Sequence, residues 1–480
     1  MAFDSLREYM DRLEKEGEFM RIKTGVDWNF ELGAIMRRAN DLRQPALLFE
    51  KIKDYPQGYR VFSNGIGATK PNSYGRLCIA LGLPKETPPL EIIDEIVRRF
   101  TNPIKPVLVD NGPCKENIIK GNEVDLLKFP VPFFRPVDGG RYIGTWHGTV
   151  TKDPDSGWVN WGMYRHMLHD KRSIGWLAFP GSHGGGIFYQ KYEAKGKPMP
   201  MAIVIGASPA CALASMSAVS PYVDEVDIAG GLNGKPVELV KCETIDLEVP
   251  ATAEIVLEGE VRPNERKDEG PFGEYTGYRA SEKSPRTVFH VNCITHRNNP
   301  ILTVAAPGKP FDDQTFNLAL FNSAAIIVDL KKLGLPVKSL CLTSSLMGVI
   351  VSASEIYPGY VHTLSSAIWA TRVGVYRPII IVVGEDVDVT NMEEVIWALT
   401  TRMHPDRDIH IRKGAPIQPL YPFLSSEEKA HYTTGTAVCF NATFPYEWKG
   451  ATPQVIDFEH AWSKDTQQLV MSRWKEYGFK

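Results

Sequence analysis

Three patterns of apolar and polar positions follow one another along the chain. Up to about residue 115, Leu6, Met10 and Leu13 recur at helical spacing in a charged stretch, 46–49 is a short apolar run, and 90–100 is again helix-like before Pro103 and Pro106. A Gly/Ser/Asn-rich connection lies near 63–73. From about 120 to 305 the apolar runs become short and alternate with polar positions, at 144–150, 175–179, 201–205, 237–240, 253–257 and 288–294. Gly, Pro and Asp separate them, which predicts a mostly antiparallel barrel or sandwich. Beyond 310 helical patterns return at 316–333, 360–371 and 392–401, with a strand at 348–352. The β-branched run at 379–383 is of the kind buried in parallel sheets. An amphipathic helix near 465–477 has little core of its own to cover, so it is expected to pack on another subunit.

At 480 residues the chain exceeds one ordinary core. The expectation is an α+β multidomain protein: an N-terminal α/β domain over 1–115, a central β domain over 116–310, a C-terminal α/β domain over 311–450, and a tail with a terminal helix over 451–480. With 43% hydrophobic and 23% charged residues, nothing in the composition requires extensive disorder. A net charge of −3 argues against coating nucleic acid and leaves room for a local basic pocket. No apolar run reaches the roughly 20 residues of a membrane span, and the N-terminus lacks a signal-peptide core. A cytoplasmic protein is expected, with no membrane partner. The seven cysteines are scattered with no CxxC pair, as in reduced, buried thiols.

The chemistry centres on Glu269-Gly270-Pro271-Phe272-Gly273-Glu274. Pro271 opposes a helix interior and the glycines favour a tight loop, which can turn both carboxylates into one cavity. Two acids in one pocket repel, so one stays protonated near neutrality while an arginine keeps the other ionised. Upstream, 160–165 reads as a strand in which Trp161, Met163 and Arg165 share a face. An arginine among apolar neighbours needs an anion, and Glu269 and Glu274 are its candidate partners. His183, in a glycine-rich loop, is a candidate for a metal or phosphate. Asn160, His183 and Glu225 together offer oxygen and nitrogen donors suited to manganese or magnesium. The bland alternatives are a solvated turn, a surface arginine, a polar loop histidine and an acidic strand end.

These residues, with Ala214-Ser215, Ile228-Ala229-Gly230, Val249-Pro250-Ala251 and Glu385-Asp386-Val387-Asp388, give the chain a pattern that resembles the UbiD-like decarboxylases, which use prenylated FMN. The resemblance runs over most of the chain. It implies a central split β-barrel that binds flavin and a C-terminal domain that oligomerises. It implies a catalytic trio of Arg165, Glu269 and Glu274, with Glu274 donating the proton and Arg165 paired with Glu269. Asn160, Trp161, Met163, Arg165, His183, Ser215 and Glu225 would bind the cofactor. Asn160, His183 and Glu225 would hold Mn2+ (or Mg2+), and Glu225, Trp161, Ala214, Ser215 and Ser217 would surround K+. The implied partners are a small carboxylic acid, CO2, a flavin prenyltransferase as cofactor supplier, and further copies in a homodimer or homohexamer.

The implied reaction is reversible decarboxylation of an aromatic, heteroaromatic or α,β-unsaturated acid. Competing readings are a carboxylase working in reverse, an ordinary FMN oxidoreductase, and a non-catalytic subunit of a carboxylase complex. The chain departs from the family at Tyr376-Arg377-Pro378, where many members carry a lysine, and at Asn441-Ala442-Thr443, where relatives carry Asp-Ala-Thr. Candidate substrate contacts are Phe311, Leu318, Phe423 and Phe440.

Overall fold

The computed structural model describes residues 3–279, 282–312, 315–418, 420–431 and 434–479. The helix Leu6–Lys15 is capped by the Ser5 side chain and buries Leu6, Tyr9, Met10 and Leu13, the stripe its spacing predicts. It packs on the helix Gly75–Leu81 and the strand Phe19–Ile22. That strand edges a four-stranded sheet in the order Phe19–Ile22, Ala46–Phe49, Arg60–Ser63, Ile301–Thr303. The fourth strand comes from the far end of the central segment, which ties the first two thirds of the chain together. Helices Glu31–Leu42 and Gly75–Leu81 are absent from the sequence pattern. The first contains Gly33, where a Cβ would stand 2.2 Å from the Phe134 carbonyl oxygen. Close backbone approach there takes the place of an apolar side chain in the stripe.

The join is reinforced by Glu254, which is fully buried. It accepts from Arg7 Nε at 2.7 Å, Arg7 Nη2 at 2.8 Å and the Ile301 amide at 3.2 Å. Arg7 keeps part of its side chain in water, so Glu254→Ala is expected to cost on the order of 2 kcal/mol, readable by urea unfolding.

The central sheet has nine strands. Its path runs Tyr142–Gly144, His166–Leu168, Ser173–Trp176, Ser284–His296, Ile255–Glu269, Met199–Ile205, His147–Lys152, Val159–Gly162, and Asn117–Lys120 adds to Ser284–His296. Every pairing is antiparallel. Strands Tyr142–Gly144 and His147–Lys152 stand near opposite ends of this path, yet only Thr145 and Trp146 separate them in sequence. So short a link forces the sheet to curl into an open barrel. Across the seam, Thr149 Oγ1 lies 2.9 Å from His166 Nε2, and the His147 and His166 rings meet edge to face at 4.9 Å.

Helices Pro209–Met216 and Glu225–Asn233 also belong to this segment, where the sequence pattern predicts strands. Both are built from small, almost wholly buried residues, so neither carries the polar face that marks a helix in sequence.

The C-terminal sheet has five strands in the order Ser339–Leu342, Gly348–Ser352, Ile379–Val383, Gly435–Ala442, Ile409–Ala415. The inner three are parallel and both edges antiparallel, so the β-branched run at 379–383 occupies the centre, as its composition predicts. Asp386 of the acidic motif pairs bidentately with Arg402 at 2.8 and 2.6 Å. That motif therefore braces the C-terminal unit. The terminal helix Lys464–Ser472 buries only Gln467 and exposes Leu469 and Met471. All seven cysteines are free, and all but Cys242 are buried. Among the described residues no helix is long and apolar enough to cross a membrane.

Candidate active site

Arg165 lies between strands Val159–Gly162 and His166–Leu168, at the open seam of the barrel. The predicted strand alternation ends at Gly162, so Met163, Tyr164 and Arg165 form a link whose three residues all border one cavity. Glu269 is the last residue of the strand Ile255–Glu269. Past it, Gly270 takes φ +82°, a conformation that other residues adopt at a cost. The chain then folds back: Glu274 N donates to the Tyr278 carbonyl at 3.0 Å, and Gly277 N donates to the Glu274 carbonyl at 3.0 Å. The two acids thus come from a strand end and a turn. The loop is seated by Asp138, which accepts from Gly273 N at 2.9 Å, and by Gly139, where a Cβ would overlap the Gly270 carbonyl oxygen.

Both acids meet Arg165. Its Nε and Nη2 donate to the two oxygens of Glu269 at 2.9 and 2.7 Å, a fork-to-fork pair. Its Nη1 donates to Glu274 Oε1. Glu269 also accepts from the Tyr142 hydroxyl at 3.0 Å. The three charged side chains are almost fully enclosed, and Phe272 packs under Arg165 with the guanidinium 5.6 Å from its ring centre. Burial pushes Glu274 above the usual carboxylate range, outweighing the opposing pull of Arg165. Burial alone would lower Arg165, but the two carboxylates reverse this and hold it charged. A guanidinium beside two acids balances when one acid keeps its proton, and Glu274 is the acid so disposed.

A second cluster joins Asn160, His183 and Glu225. Glu225 accepts from Asn160 Nδ2 at 2.9 Å and from the Trp161 amide at 2.8 Å, and His183 Nδ1 stands 3.5 Å from the same carboxylate. His183 opens the short helix His183–Ile187 and Glu225 opens the helix Glu225–Asn233, so both sit at helix starts rather than in the loop and strand end the sequence suggests. Burial raises Glu225 above the usual carboxylate range, and His183 Nε2 is buried without a hydrogen-bond partner. A buried acid and an orphaned imidazole nitrogen, with an amide that presents its oxygen when rotated, fit a hard divalent cation.

Ala214, Ser215 and Ser217 lie on or next to the helix Pro209–Met216, which packs on both Glu225–Asn233 and Val159–Gly162. The two hydroxyls turn back onto the carbonyls of Cys211 and Leu213 at 2.9 and 2.7 Å. Ser215 lines a small cavity with Trp161, and both hydroxyl oxygens keep their lone pairs.

The trio borders a cavity of about 330 Å³, lined also by Met163, Tyr275, Leu318 and Arg377. A second cavity of about 630 Å³ continues outward between the barrel and the C-terminal unit and shares Phe179, Ser182, Arg377 and Gln418 with the first. Of the candidate substrate contacts, Leu318 alone lines these cavities. Phe311 is held elsewhere, edge to face with Phe316 and beneath Arg43. Phe423 is exposed beside Tyr421, and Phe440 lies within the C-terminal sheet opposite Ile381 and Ile409. Aromatic type alone does not tell a cavity wall from a sheet position. Tyr142 and Gln418 join the site without a sequence signal; Phe272 lies inside the acidic loop, and Arg377 is marked by the departure at 376–378. Asn441 caps its own turn, accepting from Thr443 N at 3.0 Å, and lines neither cavity.

Three family models cover the chain. The N-terminal, Rift-related and C-terminal domains of 3-octaprenyl-4-hydroxybenzoate carboxy-lyase match residues 10–100, 105–310 and 318–442. The chain is 34% identical to pyrrole-2-carboxylic acid decarboxylase of Pseudomonas aeruginosa over 98% of both chains. Its fold matches vanillic acid decarboxylase of Sedimentibacter hydroxybenzoicus in closed form, with TM-score 0.90, 33% identity and 99% of each chain covered. The open form of that enzyme matches at 0.83. A UbiD-class enzyme from Pelotomaculum thermopropionicum, solved with FMN, matches at 0.81 with 31% identity over 94% of this chain and 97% of that one. An evolved dimeric form of that enzyme was solved with prFMN.

Proposed function

Because the chain belongs to the UbiD decarboxylase family and is a carboxy-lyase, we propose that it removes CO2 from an aromatic, heteroaromatic or α,β-unsaturated acid, with Glu274 returning the proton. The observation that carries this reading is Arg165 bridging Glu269 and Glu274 at the wall of the 330 Å³ cavity. Loss of CO2 from an unsaturated carbon leaves charge that no side chain can absorb, and prenylated FMN supplies the electron sink when bound. Asn160, Trp161, Met163, Arg165, His183, Ser215 and Glu225 would hold it. Asn160, His183 and Glu225 would do so through Mn2+ or Mg2+, and Trp161, Ala214, Ser215, Ser217 and Glu225 would surround K+.

The chain's own tasks are then narrow. Arg165, locked by Glu269, keeps the polar wall in place, Phe272 and Leu318 exclude water, and Glu274 delivers a proton to the carbon that loses CO2. Run backwards at high CO2, the same parts carboxylate. Further copies in a homodimer or homohexamer, a flavin prenyltransferase as supplier and a cytoplasmic setting belong to the same proposal. The exposed terminal helix supports association between copies.

The absorbance spectrum of protein co-produced with a flavin prenyltransferase tests this: a modified flavin with CO2 release from an aromatic-acid panel is expected. Plain FMN without CO2 release would favour an oxidoreductase, and no flavin would favour a non-catalytic subunit. Glu225→Gln is expected to lower bound divalent metal from about one ion per chain to a small fraction, read by elemental mass spectrometry, with flavin content falling alongside.

A further inference from the structure

Gly273 precedes Glu274, and one pair of side chains holds both polar groups of its backbone. Gly273 N donates to Asp138 Oδ1 at 2.9 Å, and the Gly273 carbonyl accepts from Arg135 Nη1 at 3.2 Å. Arg135 Nη1 also stands 3.5 Å from Asp138 Oδ1. The peptide that joins Gly273 to Glu274 is thus gripped on both sides, its oxygen by Arg135 and its N–H by the Tyr278 carbonyl at 3.0 Å. Holding that plane sets the direction in which the Glu274 side chain leaves the backbone. A Cβ at 273 would overlap the Arg135 guanidinium, so the close approach depends on glycine.

Arg135 also reaches a second segment. Its Nη2 donates to the Pro307 carbonyl. Pro307 lines the same cavity as Glu274 and lies in the crossing from the strand Ile301–Thr303 to the helix Thr315–Lys332, the first of the C-terminal unit. The crossing is clamped further on, where Gly308 N donates to Asp312 Oδ2 at 3.1 Å and the Lys309 carbonyl accepts from Arg37 Nη1 at 2.8 Å. One guanidinium therefore ties the peptide before Glu274 to the chain that brings Thr315 and Leu318 to the cavity wall.

The charge of Arg135 bears on the site as well as its reach. The charged and titratable groups around Glu274 are Arg165 and Glu269 of the trio, Arg135 beside its backbone, and Tyr275, whose phenol is pushed up to about 12 by burial and stays neutral. Tyr142 and Asp138 stand behind them, against Glu269 and Gly273, and Arg377 lines the same cavity. Burial holds the proton on Glu274, Arg165 and then Arg135 pull against it, and Glu269 reinforces it. Among the described residues Arg135 donates to neither oxygen of the Glu274 carboxyl. Phe272 lies 5.6 Å from each guanidinium, so Arg135 acts through the backbone and across that ring.

We propose that Arg135 is the positioning residue of the proton donor: it seats Glu274 through the Gly273 carbonyl and locks that seat to the crossing into the C-terminal unit. This rests on the decarboxylase reading with Glu274 as proton donor, and it adds a residue outside the cavity lining.

A reacting group misplaced by about 1 Å loses on the order of 10²-fold. That is the fall in kcat expected of Arg135→Gln, with KM and flavin content near the wild type. Removing the charge also lets Glu274 keep its proton to higher pH, so the alkaline decline of kcat moves up in pH. Arg135→Lys keeps the charge, but a single ammonium lacks the fork that spans two carbonyls. It is expected to recover part of kcat and to leave the alkaline decline where the wild type has it.

The three proteins, each co-produced with a flavin prenyltransferase, are compared in two readouts. One is kcat against pH on the acid of the panel that the wild type turns over fastest. The other is infrared difference titration of the Glu274 carboxyl, assigned by its loss in Glu274→Gln, which needs no turnover. A lowered kcat and a higher titration midpoint in Arg135→Gln, both reversed at least in part by lysine, support the proposal. Unchanged kcat in Arg135→Gln, or equal losses in both variants with the midpoint unmoved, overturns it, the second outcome being plain loss of packing.

If Arg135→Gln does not fold, Arg135→Lys decides: a lowered kcat with the midpoint in place supports the proposal, and an unchanged kcat or a moved midpoint overturns it. If flavin is bound but the wild type releases CO2 from no acid of the panel, the decarboxylase reading fails and the titration alone decides on Arg135. A higher midpoint in Arg135→Gln than in the wild type then supports the seat, and an equal one overturns it.

Discussion

Glu274→Gln is expected to lower CO2 release by about 10²- to 10⁴-fold, the usual worth of a positioned general acid. The amide keeps the size of the carboxyl group, so the turn held by the Glu274 N to Tyr278 O bond and the Gly277 N to Glu274 O bond should persist. What is lost is a transferable proton. Glu274 is suited to carry one because burial disfavours its ionised form more than Arg165 favours it.

The sign of the pH dependence follows. A carboxyl group whose proton is held more tightly in the folded protein than in the unfolded chain contributes stability below its unfolded pKa, and that contribution is lost as pH rises through the folded value. Turnover that needs the protonated form declines on the same alkaline side. CO2 release and urea unfolding measured from acid to neutral pH should therefore fall together in the wild type, and Glu274→Gln should lack that part of the decline in stability.

Arg165→Met is the second large effect. It removes the one cation that two buried acids share and leaves Glu269 facing only the Tyr142 hydroxyl. Breaking a buried pair from one side typically costs about 3–5 kcal/mol, because the remaining charge is uncompensated. Turnover should be abolished, and the unfolding midpoint in urea should drop sharply near neutral pH. The loss should be smaller in acid, where Glu274, whose proton burial holds more tightly, carries no charge. A variant as stable as the wild type across that range would show that the network is solvated, and that Arg165 is not what holds its acids in place.

How far the molecule can be read from its residues differs by region. The strands at 46–49, 348–352 and 379–383 fall where their apolar runs predict, because each lies inside a sheet; the first two are buried on both faces, and the third keeps its apolar run although Ile379 and Ile381 are partly open. Helices Pro209–Met216 and Glu225–Asn233 are hidden, since small buried residues erase the polar face, whereas Glu31–Leu42 keeps one at Glu31, Arg38 and Asp41 and is masked by the break in its apolar stripe at Gly33. The acids at 269 and 274 are visible as a pair, and so is their need for an arginine. That Arg165 meets both depends on a barrel seam closed by a two-residue link, which no local pattern encodes. The substrate wall is least legible. Phe311, Phe423 and Phe440 have the right chemistry, and the fold places them elsewhere, while Arg377 is marked only by a departure from the family.

The most direct measurement of the central claim is decarboxylation in D2O by the flavin-loaded protein, with the product followed by mass spectrometry and deuterium NMR. One deuterium at the carbon that lost CO2, formed by the wild type and suppressed together with CO2 release in Glu274→Gln, is the predicted result. Product labelled at the same rate by Glu274→Gln as by the wild type would contradict it.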